Sequence, residues 1–410
     1  VQQQQEQLAA LCRIRGTLSA PQEPANPLVV VLIRHDGAAS EIVDHYVLER
    51  PGAWYFVVTP GTYSLGAFSD RNDDLRYEPG EPVVISAQQL ELGAGARVDA
   101  GGLTISSDAR RDLPGEIDLS TLHVRSNHDQ TTASLGLVSA VGDVADLSDP
   151  RFDFSHGDEG MLKPFDFILN SRPGVYFLQQ YDAGKVPVLF VHGYTGTPRD
   201  FEPLIARLDR SRFQPWVYFY PTGADIDAVA EHLSGLISKL RLRYRFDRLH
   251  VVGYSMGGLV SRAFIQKHHE STGRSEIGVF VSISTPWSGD DLAAKAVKRL
   301  PVVVHSWKDL AADSPFLTGL FYADSKGVQI RRSVQGYVAY YLVFTYRRNS
   351  LKPGVSDDRE VTVASELRSE AQEEAKRMFG FDETHFTVLS NPQLAATLNE
   401  LFTQSGNGGR

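Results

Sequence analysis

Ser255 stands between glycines in the stretch Gly253-Tyr254-Ser255-Met256-Gly257-Gly258, behind the apolar run Leu249-His250-Val251-Val252. The run reads as a buried strand, and MGGLVSRAFIQKHH after the serine reads as a helix. A serine on such a turn can act as a nucleophile. Glycines two before and two after let strand and helix close around a strained turn that holds the hydroxyl clear of the sheet. The helix N-terminus adds N–H groups without helical partners. Acyl transfer from such a serine also needs a base to take its proton, an acid to orient the base, and donors for the oxyanion. Without them the stretch is a glycine-rich turn with an incidental serine.

Downstream of Ser255 the histidines are His268, His269, His305 and His385. The first two close the helix after the serine, where a cation suits the helix dipole, and His305 lies in an insertion. His385 sits in Asp382-Glu383-Thr384-His385-Phe386-Thr387-Val388-Leu389-Ser390-Asn391-Pro392, a loop leading to the final helix PQLAATLNELF. Upstream, the strand VPVLFVHGYTGTP ends in His192-Gly193-Tyr194.

The strings HGYTGTP, GYSMGG and STPWSG, with the tail around His385, resemble the α/β-hydrolase superfamily over about residues 186–402, and within it bacterial lipases and esterases. The resemblance implies a mostly parallel sheet covered by helices and a Ser-acid-His chain order. It implies Ser255 as nucleophile, His385 as base, and the backbone N–H groups of Tyr194 and Met256 as oxyanion donors; His192 is then structural. Aligning Val361-Thr362-Val363-Ala364-Ser365 with the lipase segment that begins with the acid puts Asp358 in that role. The glycine usual after it is Arg359 here, which keeps Asp357 open as the alternative. The first two strands of the fold are not evident before VPVLFVHG, although VYFLQQY at 175–181 can supply one.

Between STPWSG and the strand VAYYLVFTY lie about fifty residues, where a crossover needs only a dozen or more. A cap over the nucleophile is expected at about 286–336. Its apolar residues, which include Trp307 and Leu320, can form an acyl pocket or lid or simply pack the cap. Trp287, Phe316 and Leu317 are the substrate-binding candidates.

Before residue 180 the rhythm is different. CRIRGTLS, LVVVLIR, IVDHYVL, AWYFVV, TYSLGAF and PVVIS are strand-length runs parted by Gly, Pro and Asp, and no sustained helical period appears. The string Ala53-Trp54-Tyr55-Phe56-Val57-Val58-Thr59-Pro60-Gly61-Thr62-Tyr63 resembles the transthyretin-like or carboxypeptidase-regulatory-like sandwich, with its PGTY turn between core strands. The expected organisation is a leader or linker helix at 1–11, a β-sandwich at 12–107, a connecting segment with a few strands at 108–175 that packs between the halves, and an α/β-hydrolase domain at 176–405. The fold class is thus α/β, preceded by a small all-β domain.

Asp70, Asn72 and Asp74 place oxygen ligands at alternate positions, with Glu81 at the twelfth place of a calcium-loop spacing. Leu75 stands where that loop needs glycine and no helices flank it, so a polar turn is expected and no cofactor is required. The single cysteine, Cys12, excludes an internal disulfide and a Cys-based zinc site. A formal net charge of −9, with no basic stripe, gives no reason to expect nucleic acid. The longest apolar run, Leu28 to Ile33, is far short of the ~18 residues of a membrane span.

The function expected from the residues together is that of a serine carboxyl-ester hydrolase acting on small-molecule or lipid esters. An acyltransferase with the same triad and a non-catalytic hydrolase-fold binding protein are the alternatives, and a peptidase is a further one. The opening VQQQQEQ reads as the end of a leader or linker. With the use of carboxypeptidase-regulatory-like domains outside the cytoplasm, it leads to the expectation of an exported, periplasmic or envelope-anchored enzyme.

Overall fold

The computed structural model describes residues 12–106 and 131–406, apart from 22–25, 38, 49–50, 73, 75, 132–134, 137, 291–292, 294, 296–303, 326 and 348–360. The chain divides into two compact units, Val1–Gln130 and Thr131–Arg410. The helix expected at 1–11 lies outside the described residues.

The smaller unit is all β. β1 (Cys12–Ser19) lies between β4 (Gly52–Val58) and β8 (Arg97–Thr104) in one sheet. A second sheet runs β3 (Ala39–Leu48), β2 (Leu28–Asp36), β5 (Gly61–Ser69), β6 (Val83–Ile85), with β7 (Leu90–Leu92) also on β5. All pairings are antiparallel except β1 with β8. Alternate residues Cys12, Ile14 and Leu18 of β1 are buried, whereas Leu28 to Ile33 of β2 are buried without a break, as a strand covered on both faces must be. In the PGTY turn the buried Tyr63 donates its hydroxyl hydrogen to the Thr59 carbonyl at 2.8 Å, pinning the corner.

The larger unit is built on an eight-stranded sheet. Its strands in chain order are β9 (Ala140–Val144), β10 (Gly174–Phe177), β11 (Val186–Val191), β12 (Phe213–Phe219), β13 (Leu249–Tyr254), β14 (Ile277–Ile283), β17 (Ala339–Tyr346) and β18 (Arg377–Asp382). Across the sheet the order is β18-β17-β14-β13-β11-β12-β10-β9. Only β10 with β12 is antiparallel. Alternate residues point to opposite faces. Leu189, Val191, Trp216 and Val251 join one core cluster, and Val188, Phe190, Val217 and Val252 join the other.

Helices cover both faces: α1 (Ser155–Leu162), α2 (Pro164–Asn170), α3 (Ile226–Tyr244), α4 (Met256–Thr272), α5 (His305–Leu310), α6 (Pro315–Gly319), α7 (Ser369–Glu374) and α8 (Pro392–Gly406), with single-turn helices left unlabelled. Within α3 the buried residues recur at helical spacing, among them Val229, Leu233, Leu236, Ile237 and Leu240. Asp225 caps its start by accepting the Ala228 N–H at 2.8 Å.

The segment expected as a connection differs from that expectation from residue 138 onward. It contributes β9, α1, α2 and the start of β10 to the larger unit, and β9 with β10 completes the sheet edge that was not evident in sequence. Its residues 108–130 lie outside the described part, as does residue 107 at the end of the expected sandwich.

The cap region holds α5, α6 and a hairpin of β15 (Tyr322–Ser325) and β16 (Val328–Arg331). Arg262 of α4 ties it down. Fully buried, this guanidinium meets the Glu374 carboxylate at 2.8 and 3.0 Å and donates to the Leu320 and Arg332 carbonyls, each at 3.0 Å. Its plane also lies 4.2 Å over the Phe321 ring.

Candidate active site

The parallel strands β11, β13 and β14 end at one edge of the sheet, and the turns after them form the site, as open α/β sheets generally arrange. Ser255 sits between β13 and α4 at φ 53° and ψ −127°, a conformation that a side chain disfavours. The flanking glycines make the turn possible by close approach. A Cβ on Gly253 would come within 2.6 Å of the Gly257 carbonyl oxygen, and one on Gly257 within 2.1 Å of the Val191 oxygen. The Ser255 N–H donates to the Ile283 carbonyl at 2.8 Å, locking the elbow to the end of β14.

His385 reaches the same point from the loop after β18, its Nε2 lying 2.9 Å from Ser255 Oγ. Both residues are buried, at 5% and 8% exposure, so the pair is largely withdrawn from solvent. The histidine loop is held in several places. The Tyr254 hydroxyl donates to the His385 carbonyl at 2.9 Å. The Glu383 carboxylate accepts from the Thr387 hydroxyl at 2.6 Å and the Asn391 amide at 2.9 Å.

Tyr194 and Met256 border the same space as Ser255 and His385. Met256 is the first residue of α4, where N–H groups lack helical acceptors. Gly193 lets the preceding turn close on Ser255, for a Cβ there would stand 2.8 Å from the Ser255 Cβ. Trp307 of α5 donates its indole N–H to the Tyr194 hydroxyl. Burial pushes that phenol up to about 12, so it stays neutral across the physiological range. His192 is fully buried and stacked on Tyr220 at 4.4 Å between centroids; burial pushes its imidazole down to about 4, which keeps it uncharged.

The cavity has a volume of about 580 Å³. Its walls include Phe154, Trp307, Leu310, Phe386 and Leu389. The substrate-binding candidates are placed otherwise. Trp287 and Leu317 are fully buried in the core, Trp287 edge-on to Phe321 and Tyr340, and Phe316 packs against that core from its margin. None of the three is among the residues lining the cavity. Leu317 of α6 joins the core cluster that also holds Leu259, Ala263 and Phe264 of α4. Trp307 and Leu310 of α5 line the cavity instead. Phe154, beside Phe152 at the start of α1, and Phe386, after His385, stand among polar residues and give no sequence signal of lining a cavity.

Two carboxylates also border the cavity. Burial pushes Asp200 up to about 6, although its carboxylate accepts the Thr197 N–H at 3.1 Å. Asp290 accepts the Ala293 N–H at 3.2 Å. Asp358 and the alternative Asp357 lie outside the described residues, in the interval between β17 and Val361.

In the smaller unit, Asp70, Asp74 and Glu81 of the residues considered for calcium accept local backbone N–H groups. Asp70 accepts the Asp74 N–H at 3.3 Å, and Glu81 accepts from Arg71 at 2.7 Å and Glu78 at 3.0 Å. Asp73 and Leu75 are outside the described residues. Among the described residues no group of three His, Cys, Asp or Glu is arranged to hold a metal ion, and no described helix is long and apolar enough to cross a membrane.

Residues 186–326 match the family model of the alpha/beta hydrolase fold. No curated protein matches the chain. Among solved structures, the chain is similar to a lipase of Bacillus licheniformis in its mature form, at 16% identity over 54% of this chain and 94% of that one, with a TM-score of 0.41. Lipase B of Aspergillus fumigatus matches at 16% identity over 54% of each chain, TM-score 0.40. An esterase of Pyrococcus furiosus matches at 18% identity over 54% of this chain and 83% of that one, TM-score 0.35. With its strand order, its elbow between β13 and α4 and the family match over 186–326, the larger unit of this chain has the α/β-hydrolase fold.

Proposed function

We propose that the protein is a serine hydrolase of carboxylic esters that works through an acyl-enzyme. The observation that carries this reading is the 2.9 Å contact between His385 Nε2 and Ser255 Oγ at a strained elbow, facing a cavity with aromatic and aliphatic walls. In this reading His385 takes the Ser255 proton as the oxygen attacks the ester carbonyl. The oxyanion is met by the backbone N–H groups of Tyr194 and Met256. His385 then protonates the departing alcohol, and water attacks the acyl-enzyme by the reverse steps. Asp358, with Asp357 as the alternative, is assigned the orienting role toward the His385 Nδ1–H; a carboxylate there stabilises the imidazolium that forms. The apolar cavity walls favour acyl or aromatic esters over sugars and polar peptides.

The test is hydrolysis of p-nitrophenyl esters from acetate to palmitate by the intact protein, beside Ser255→Ala, His385→Ala, Asp358→Asn and Asp357→Asn. Turnover that is lost in the first two variants, and in one of the last two, is the expected result. An intact protein without activity on any of these esters, or Ser255→Ala with full activity, would overturn the reading. The chain-length optimum separates an esterase from a lipase.

A further inference from the structure

The turn that carries Tyr194 is gripped by a segment that lies outside the family match. Thr195, next to Tyr194, has φ 54°. For a β-branched residue this left-handed conformation is strained and persists only where the surroundings impose it. The surroundings that impose it come largely from residues 147–162. Gly157 of α1 lies so close to this turn that a Cβ on it would stand 1.9 Å from the Thr195 carbonyl oxygen and 2.8 Å from its carbon. Arg199, at the far end of the turn, donates through Nε to the Leu147 carbonyl at 2.8 Å and through Nη2 to the Ser148 and Asp149 carbonyls at 3.0 and 3.1 Å. Its Nη1 reaches Asp153 at 3.4 Å. Behind Thr195, its N–H donates to the Thr222 hydroxyl at 3.3 Å, and the neighbouring Gly223 N–H donates to the Gly160 carbonyl of α1 at 2.9 Å.

We propose that Gly157 and Arg199 are positioning residues for the oxyanion donor. The backbone-to-backbone seat of α1 on Thr195 and the arginine clamp on residues 147–153 fix the Thr195–Gly196 peptide, whose N–H donates to the Gly193 carbonyl at 3.1 Å, and so the direction of the Gly193–Tyr194 peptide that carries the Tyr194 N–H. The inference rests on the ester-hydrolase reading. Neither residue touches the substrate. Their effect is felt where charge develops, in the tetrahedral intermediate, and not in ground-state binding.

The experiment compares Gly157→Ala and Arg199→Ala with the intact protein. It uses kcat and KM on p-nitrophenyl butyrate, inhibition by butylboronic acid, whose tetrahedral serine adduct needs the oxyanion donors, and the melting temperature. Losing an oxyanion donor outright costs about 10²–10³ in kcat. A displaced donor is expected to cost roughly tenfold to a hundredfold in Gly157→Ala, less in Arg199→Ala, with boronic acid affinity falling by the same factor and KM nearly unchanged. Gly142→Ala is the control for general destabilisation. Its new Cβ would meet the Leu240 and Phe177 side chains at 2.8 Å, away from the cavity, so its melting temperature should fall while kcat holds. Intact kcat and boronic acid affinity in both test variants, or an equal loss in Gly142→Ala, overturns the proposal. An intact protein that neither hydrolyses the ester nor binds the boronic acid overturns the underlying reading as well; an active one with unaffected variants overturns only this inference.

Discussion

The two units handle difficult backbone in opposite ways. In the smaller unit the described residues with φ in the left-handed range are all glycines: Gly37, Gly80, Gly95 and Gly101. In the larger unit glycines do so too, but among its described residues six that are not glycine also adopt it: Arg172, Thr195, Arg245, Ser255, Ser284 and Asp313. Three of these, Thr195, Ser255 and Ser284, follow the C-terminal ends of β11, β13 and β14. A sandwich turn needs only to reverse the chain, so the residue without a Cβ serves. A turn that must present a hydroxyl or aim an N–H needs a side chain or a fixed peptide, and there the sheet edge absorbs the strain. The contrast extends to charge. The ion pairs Arg15–Asp99 and Arg34–Asp36 of the smaller unit lie on its surface, while Arg262 and Glu374 meet in the core of the larger one.

The sharpest way to break this comparison is at Ser255. Ser255→Ala should lower kcat/KM by roughly four orders of magnitude or more, measured on the best ester, while folding is retained. Were that variant fully active, the strain at the elbow would have no functional counterpart. The next largest effect falls on the buried pair. Glu374→Ala leaves Arg262 uncompensated and should cost on the order of 3–5 kcal/mol in urea unfolding, against about 0–1 kcal/mol for Asp99→Ala at the exposed pair. Equal losses would erase the distinction between the units.

A third effect depends on pH. Asp309 of α5 accepts the Ile226 N–H at the start of α3 at 3.0 Å, and burial, with Asp225 nearby, pushes its carboxyl up to about 7. A carboxyl raised in the folded state gives stability that is complete below the unfolded value near 4 and is lost as pH rises through 7. Asp309→Asn keeps a neutral acceptor. It should match the parent in unfolding free energy near pH 4 and exceed it at pH 8, by on the order of 1–3 kcal/mol. A constant difference across that range would show that the carboxyl titrates elsewhere.

The smallest expected effect returns to the backbone. Ser255→Gly should be more stable than Ser255→Ala by about 1–2 kcal/mol, because it releases the strain at φ 53°. At the glycine turn Gly37, with φ 64° and open space around it, Gly37→Ala should cost about 1 kcal/mol and leave ester hydrolysis unaltered.

What could be read in the sequence follows the same division between side chains and backbone. The elbow was legible because its requirement is local: strand, glycine, serine, glycine and helix are contiguous. The sheet was legible from apolar strands such as Val186–Val191 and Leu249–Tyr254, whose two faces are both buried. The helix α1 was not. Of its residues SHGDEGML the buried ones are Gly157 and Gly160, so the face it packs is backbone, which a search for apolar periodicity does not register. Aromatics of the cap were visible as a group, but composition does not say which turn inward. Trp287 packs in the core and Trp307 borders the cavity, and only the fold separates them. For the acid the sequence offers only a resemblance, since two adjacent aspartates carry no local mark that tells one from the other, and both lie outside the described residues.

The position of β9 has a practical consequence for dividing the chain. A fragment begun at residue 176, where the sequence rhythm changes, would discard β9, α1, α2 and the first half of β10. It would take away the partners of Tyr218 and Phe219 and of what remains of β10, leaving a rim of unpaired N–H and C=O groups, an adhesive border that invites neighbouring molecules to add strands. It would also uncover Val217 and Phe219, which pack in the same core as Phe152 and Phe167. A fragment begun at Thr131 retains both the strand and its covering, and is the better starting point for producing the hydrolase unit by itself.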